Sequence, residues 1–582
     1  MVGVLLLRLI KLSANKHTFQ TVHFKSGLNL ILGKKQNPSD RNVRNTYNGV
    51  GKSLTIYLIH FCLGSNAIKV FEEKIPQWEF TLEFEIEGVT YVSRRNTSSQ
   101  KDIFLNGKKY SLTKFRNEML GKVFDLKGKM NSLSFNTLFP RFIRRDRECY
   151  AQYDTFIKKE QDYSKLINTA FLFGVDVKSI EEKKKLRDAQ KSTGELMKGL
   201  EKDPVIKDYF NNQKDSEIEM LDLDEDIEHL EQELSNYKIA ANYHDIEKEA
   251  DEVSYNLKKL ENKRFLISNS IRNIEKSLKI EPDVSNERVI KLYEQASVEI
   301  PDMVRRHIEE VLSFHNRLLA KRKERLTSEL KANREQFKLI NNDIEDKGNE
   351  LDEILGYLNS HGALDEYTSI NKKLGDLKIK RKRLEEHQNI IKSYKKKLRE
   401  IQTDFATENK NAEEYLDSIN ELRETIMTTF RELSKTFYDN KPGGIRITNN
   451  EGENTLRYNI TAKIQDDSSD GVNEVKIFCF DMTLLLLQLN HNVKFIFHDS
   501  RLFSNMDPRQ RYTLFKLAYI KSQEHDLQYI ASVNEDTIES FKDLMSEEEY
   551  KEIVIDNIIL TLTDESESSK LLGVQVDMEY GK

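Results

Sequence analysis

A seven-residue apolar repeat runs through the middle of this chain and holds its register over several heptads. Leu326, Leu330, Asn333, Phe337, Ile340, Ile344, Lys347, Leu351, Ile354 and Leu358 step by alternating fours and threes. Met220, Leu223, Ile227, Leu230, Leu234 and Tyr237 do the same upstream. A sustained repeat of this kind obliges helices to pair along a seam, here with Asn333 and Lys347 as polar residues that fix the register. Residues 177–440 are therefore read as coiled-coil arms, with a compact helical bundle as the alternative. Pro282 and Pro301 interrupt the pattern and place the tip near residues 280–302. A second interruption, "GYLNSHGALDEYTS", reads as an elbow on the returning arm. An arm of roughly 100 residues at about 1.5 Å each projects about 150 Å.

The composition agrees with long helices: 32% of the residues are charged and only 8 are proline. Acidic and basic residues nearly cancel, leaving a formal charge of −6, so any contact with nucleic acid must come from local basic patches. Cys62, Cys149 and Cys479 form no CxxC pair, which argues against a cysteine metal hook or a disulfide framework and for small buried hydrophobes. No apolar run reaches membrane length, and the expected location is cytoplasmic, without membrane contact.

The flanks of the repeat have a different character. Residues 1–176 read as a strand-rich lobe, and residues 441–582 as a second mixed lobe. "EFTLEFEIEGVTYVSRRN" alternates with period two and turns at Glu87-Gly88, and "DIFLNGKKYSL" turns at Asn106-Gly107. In the C-terminal lobe "GGIRITNN", "TLRYNITAKIQ", "VKFIFHDS" and "LQYIASVN" read as strands. "EVKIFCFDMTLLLLQLN" reads as a buried helix, and the tract from Tyr550 onward as further strand.

The N-terminal lobe holds the ending of a phosphate-binding loop. Gly49, Val50, Gly51, Lys52, Ser53 and Leu54 lead into the apolar helix "LTIYLIHFCLG". The chemistry needs glycines so that backbone N–H groups can wrap phosphates, a lysine for the outer phosphates and a hydroxyl for Mg²⁺. Thr46 stands where the opening glycine should be, but "GLNLILG" ends a strand at Gly33. The loop thus opens at Gly33, carries residues 34–47 as an insertion, and resumes at Asn48. ATP with Mg²⁺ is the implied ligand.

Such a site needs a second half, an apolar strand ending in a carboxylate for the metal. "VKFIFHDS" supplies Asp499, pairing with Ser53 as the Mg²⁺-side groups. Ser500 follows where a water-polarising glutamate is expected, and a serine takes no proton at neutral pH without another base. His498 is the candidate substitute, with a packed strand-end histidine as the favoured alternative, and Asp507 sits where a dimer-contacting aspartate would follow the strand.

This organisation resembles the SMC/RecN superfamily of ABC-type ATPases, with "FKSGLNLILG…NGVGKS" similar to its N-terminal motif. "GVGKS…HFCLG" and "FIFHDSRLFSNMDPRQR" are most similar to the RecN-like coiled-coil ATPases of bacterial ABC three-component anti-phage loci. The resemblance implies an α/β, P-loop ATPase head of the ABC type formed by both lobes, with an antiparallel coiled coil inserted between them. It implies a signature segment in "SSDGVNEV", with Ser469 and Gly471, and a Q-loop glutamine at Gln152. The switch histidine is replaced by Ser532 or Asn534 in "YIASVNED". Two heads would sandwich ATP as a homodimer, with DNA and an effector or accessory protein as partners.

The function so implied is a sensor or switch in a defence complex. Two rivals stand beside it: a RecN-like repair ATPase, and a scaffold that binds nucleotide without hydrolysing it. "INKKLGDLKIKRKRLEEHQNIIKSYKKKLRE" on the returning arm and "PRFIRRDREC" in the first lobe are the candidate DNA contacts.

Overall fold

The computed structural model describes residues 7–35, 49–126, 132–201, 216–235, 243–279, 303–359, 364–441, 443–465 and 470–576. Asn48, Ser469, Tyr237, residues 36–47 of the loop insertion and the expected tip at 280–302 lie outside them. The chain divides into two compact units. Residues 1–187 and 405–582 belong to one, and residues 188–288 and 311–404 to the other.

In the first unit, β1 (Arg8–Ala14), β2 (Val22–His23) and β3 (Gly27–Lys34) precede helix α1 (Lys52–Cys62). Alternation buries Phe80, Leu82, Phe84 and Ile86 along one face of β4 (Glu79–Ile86). Glu87 and Gly88 take left-handed φ values of 60° and 73°, which turns the chain into β5 (Val89–Asn96). Asn106 and Gly107, at 48° and 81°, do the same between β6 (Asp102–Leu105) and β7 (Lys108–Ser111). Both hairpins lie where the sequence puts them. Together these strands form an antiparallel sheet in the order β2-β1-β4-β5-β6-β7.

The middle of the chain is helical: α2 (Lys178–Glu201), α3 (Ser216–Ser235), α4 (Tyr243–Lys279), α5 (Met303–Asn359) and α6 (Leu364–Ser418). Then come α7 (Asn420–Phe437), the paired strands β8 (Gly443–Asn449) and β9 (Tyr458–Ile464), and α8 (Asp470–Leu487). The chain ends through β10 (Phe495–His498), α9 (Pro508–Glu524), β11 (Gln528–Asn534), α10 (Glu535–Glu539), α11 (Glu547–Ile553) and β12 (Ile558–Thr563). Tyr550–Ile553, read as strand, is the end of α11. Ser546 caps that helix and three glutamates fill its first turn, so local capping outweighs the β-branched residues.

The sheet that organises the first unit is parallel, in the order β10-β11-β3-β12. β3 comes from the N-terminal lobe, yet its neighbours both come from the C-terminal end. Gly33 lies opposite Asn534 of β11, and Lys34 opposite Thr563 of β12. Gly27 to Gly33 are all buried, which explains the unbroken apolar reading of "LNLIL".

In the second unit the seam follows the heptads: Leu223 and Leu230 of α3, and Ile340 and Leu358 of α5, are buried among exposed neighbours. Asn333 on α5 meets Ser270 on α4 at 3.4 Å, a polar pair across the seam. Lys347 instead pairs with Glu350 on its own helix, so it sets no register between helices. Ala250 clusters with Leu358 while Glu275 reaches Arg334, so α4 and α5 are antiparallel. Asp251 holds Asn371 while Asn262 meets Arg383, so α4 and α6 are parallel. α5 and α6 therefore run in opposite directions, and the expected elbow is a chain reversal. Residues 360–363 at its centre lie outside the described ones. The longest helix has 57 residues, or about 85 Å, well short of the projection expected of an unbroken arm. Among the described residues no helix is long and apolar enough to cross a membrane. The three cysteines are free and buried.

Candidate functional site

The residues read as a phosphate loop meet the parallel sheet at the carboxyl end of β3. Gly49 and Gly51 take φ values of 97° and 105°, a backbone only glycine adopts without strain. Gly51 is the N-cap of α1, whose first residues are Lys52 and Ser53. The Lys52 side chain lies back across Gly33, where any Cβ would overlap its ammonium. That contact joins Gly33 to the loop despite the long insertion between them. Lys52 is 5% exposed, and burial lowers its pKa to about 8 against the opposing pull of Asp499 and Asp536.

Asp499, directly after β10, is the hub of the site. Its Oδ1 accepts from Ser53 Oγ at 2.9 Å and from Ser532 Oγ, at the end of β11, at 2.6 Å. Its Oδ2 lies 3.6 Å from Arg501. Its amide donates to the Tyr150 hydroxyl at 2.7 Å, and that hydroxyl donates to the Arg144 carbonyl at 2.9 Å. Ser500 opens a single 3₁₀ turn, its amide 3.3 Å from Ser532 Oγ. A hydroxyl and a carboxylate beside a helix N-terminus, with a lysine in reach, are hard oxygen donors and cations suited to a magnesium-bound polyphosphate. The glycine-only path at Gly33, which leaves Lys52 room to lie flat, fits that ligand as well.

Behind Asp499 lies a sealed polar network. The Arg144 guanidinium is held by both oxygens of Asp481 on α8 and by carbonyls of Tyr153 and Thr155. Asp481 also takes His498 Nε2 at 2.9 Å, and His498 Nδ1 lies 2.9 Å from the Tyr529 hydroxyl. All of these side chains are buried. Burial lowers the His498 pKa, opposed by Asp481, so the ring is neutral near pH 7. With both nitrogens engaged, His498 is a packed strand-end histidine and has no nitrogen left for a water.

The other expected residues fall around this core. Val50 and Leu54 are buried beneath the loop. Gln152 is exposed in the loop that Arg144 holds. Gly471, in the first turn of α8, is buried against the Asn505 carbonyl and Gln510. Asp507 caps α9 by accepting from the Gln510 amide at 2.9 Å, in a reciprocal capping box. Asn534 ends β11 opposite Gly33, and Glu535 beside it pairs with Lys34 at 2.9 Å.

Of the four arginines in "PRFIRRDREC", only Arg147 is exposed. Arg141 and Arg144 are sealed in ion pairs with Glu160 and Asp481, because a buried guanidinium needs an acid. On α6, Lys378, Lys380 and Arg381 pair with Glu231, Glu219 and Asp224 of α3. Lys392, Lys395, Lys396, Lys397 and Arg399 remain exposed.

Comparison with known proteins adds a family likeness. Residues 433–576 match the family described as "Uncharacterised protein conserved in bacteria (DUF2326)". The protein YydD of Bacillus subtilis (strain 168) is 22% identical over 551 residues, covering 88% of this chain and 90% of YydD. Among solved structures, the chain is similar to an Smc head domain with a coiled coil and joint from Pyrococcus yayanosii. The identity is 15%, the coverage 96% of this chain and 95% of that one, and the TM-score 0.36. An Smc head with an extended coiled coil, bound to the C-terminal domain of ScpA, from Pyrococcus furiosus is similar at 13% identity. That match covers 91% and 90% of the two chains with a TM-score of 0.32.

Sequence reasoning passed over Arg144, Tyr150, Asp481 and Tyr529. Asp481 had a signal: it is the one acid within the apolar run "IFCFDMTLLLL", and a buried carboxylate requires a cation.

Proposed function

We propose that this chain is an SMC-like ATP-binding switch whose heads hold Mg·ATP between Gly33, the Gly49–Ser53 turn and Asp499. The observation that carries this reading is the convergence of Lys52, Ser53, Ser532 and Asp499 at the carboxyl end of a parallel sheet, beside a helix N-terminus. Lys52 would take the outer phosphates; Ser53 and Asp499 would hold the metal side. Bound Mg²⁺ would neutralise phosphate charge. The absence of an acid at Ser500 argues for slow turnover, which suits a switch better than a repair motor.

On the resemblance to SMC/RecN proteins, two heads pair through ATP as a homodimer. The exposed stretch Lys392–Arg399 then offers phosphate contacts for DNA, and an effector or accessory protein reads the head state. A role in cytoplasmic anti-phage defence rests on that resemblance alone. The test is equilibrium binding of a fluorescent, non-hydrolysable ATP analogue with sedimentation of the same samples. Wild type should bind and shift toward dimer, while Lys52→Ala should do neither. Equal binding by Lys52→Ala would remove the site assignment.

A further inference from the structure

Resting on that reading, the geometry points to Asp536, in the first turn of α10, as the carboxylate that orients and deprotonates the attacking water in place of the residue missing at Ser500. Most acids near the loop are already engaged, and Glu539, at the far end of α10, acts on Lys34. Asp499 is occupied by Ser53, Ser532 and Arg501. Asp146 is held by Tyr57 at 2.7 Å and faces Arg145. Asp481 is sealed by Arg144 and His498, and Glu535 is paired with Lys34. Asp536 is exposed, and among the described residues its carboxylate makes no hydrogen bond or ion pair.

Its position is fixed by the sheet. Asn534 lies opposite Gly33, so the next two residues stand over the opening of the phosphate loop, as the Glu535–Lys34 pair records. Asp536 is close enough for its charge to act on buried Lys52. Two residues beyond the Gly33-paired end of β11, Asp536 thus lies at the same sheet edge as the residues assigned to the outer phosphates. In the step assigned to it, water oxygen bonds to the γ-phosphorus as the bond to the bridging oxygen breaks. That electron pair leaves on ADP. Asp536 takes the water proton and then passes it to solvent, yielding ADP, phosphate and a proton.

The alternative is that Asp536 only balances the charge of Lys52. The two roles separate in Asp536→Asn, an exposed and nearly isosteric change. Three quantities are read on the full chain: affinity for the non-hydrolysable analogue, single-turnover ATP hydrolysis, and the identity of nucleotide retained after rapid desalting. Asp536→Asn should bind the analogue within about twofold of wild type, hydrolyse about 100-fold more slowly or worse, and retain ATP where wild type retains ADP. Unchanged hydrolysis overturns the proposal, as does a loss fully explained by weaker binding. Glu535→Gln losing turnover while Asp536→Asn keeps it would move the role to the neighbouring residue and also overturn it. A wild-type protein that binds the analogue but never cleaves ATP sinks the assignment and leaves the nucleotide site standing. Only undiminished binding by Lys52→Ala would remove the site itself.

Discussion

Lys52 holds a charge in a nearly closed place, and that has a cost without a counter-charge from nucleotide. Its folded pKa of about 8 lies below the unfolded value, so the folded state binds fewer protons between about pH 8 and 10.5. Its contribution to stability therefore rises with pH across that window, and its penalty is full below pH 8. A shift of this size corresponds to about 3 kcal/mol. Lys52→Met should accordingly raise the melting temperature of the nucleotide-free protein at pH 7 while abolishing ATP binding. An unchanged or lowered melting temperature would contradict the burial account. Phosphates favour the charged lysine, so nucleotide affinity should hold below pH 8 and fall as pH rises above it, which a titration series checks. The paired charges behind Asp499 differ. Arg144 and Asp481 neutralise each other, and together with His498 they fix α8, β10 and the Arg144–Thr155 loop as one block.

Among the elements, the segment after β12 has the least expected role. Leu571 and Leu572 are buried, and the Leu571 amide donates to the Val50 carbonyl at 3.0 Å. The Gln20 amide donates to the Leu571 carbonyl at 2.8 Å, and Thr18 Oγ to that of Leu572 at 2.9 Å. A Cβ on Gly51 would run into the Leu571 side chain, so the strap and the glycine are fitted to each other. Leu571→Ala should cost about 2–5 kcal/mol, as buried leucine truncations do. By loosening the Val50–Gly51 turn it should also weaken nucleotide binding several-fold. Calorimetry that finds lost stability with intact affinity would separate the strap from the loop. No pattern in "KLLGVQ" announces such a role, since its partners lie at the opposite end of the chain.

For the molecule as a whole, the decisive fact is that β3 sits between β11 and β12. Neither lobe owns a complete core: the N-terminal lobe lacks partners for β3, and the C-terminal lobe lacks its central strand. A chain joining residues 1–187 directly to 405–582 through a short flexible linker should fold and bind nucleotide, because those residues form one compact unit. Each part expressed alone should be insoluble or molten, read as lost near-ultraviolet circular dichroism. If the two parts fold separately and joining them adds nothing, the shared sheet is not what holds this unit together.

The heptads of α3 and α5, the two hairpin turns, and the glycine–lysine–serine turn ahead of α1 are all legible in the letters, because periodicity, left-handed turn residues and loop chemistry act over a few neighbours. Asp499 could be found the same way, at the end of a short apolar run. The direction of α6 could not, since a heptad pattern is the same for parallel and antiparallel neighbours. Asp507 reads from the letters as a contact residue, and its capping of α9 shows only once the Gln510 amide is placed. The pairing of Arg144 with Asp481, the sealing of His498 and the strap on Gly51 likewise depend on residues brought together from distant parts of the chain. Burial makes each such partner obligatory without saying in the sequence which residue it will be.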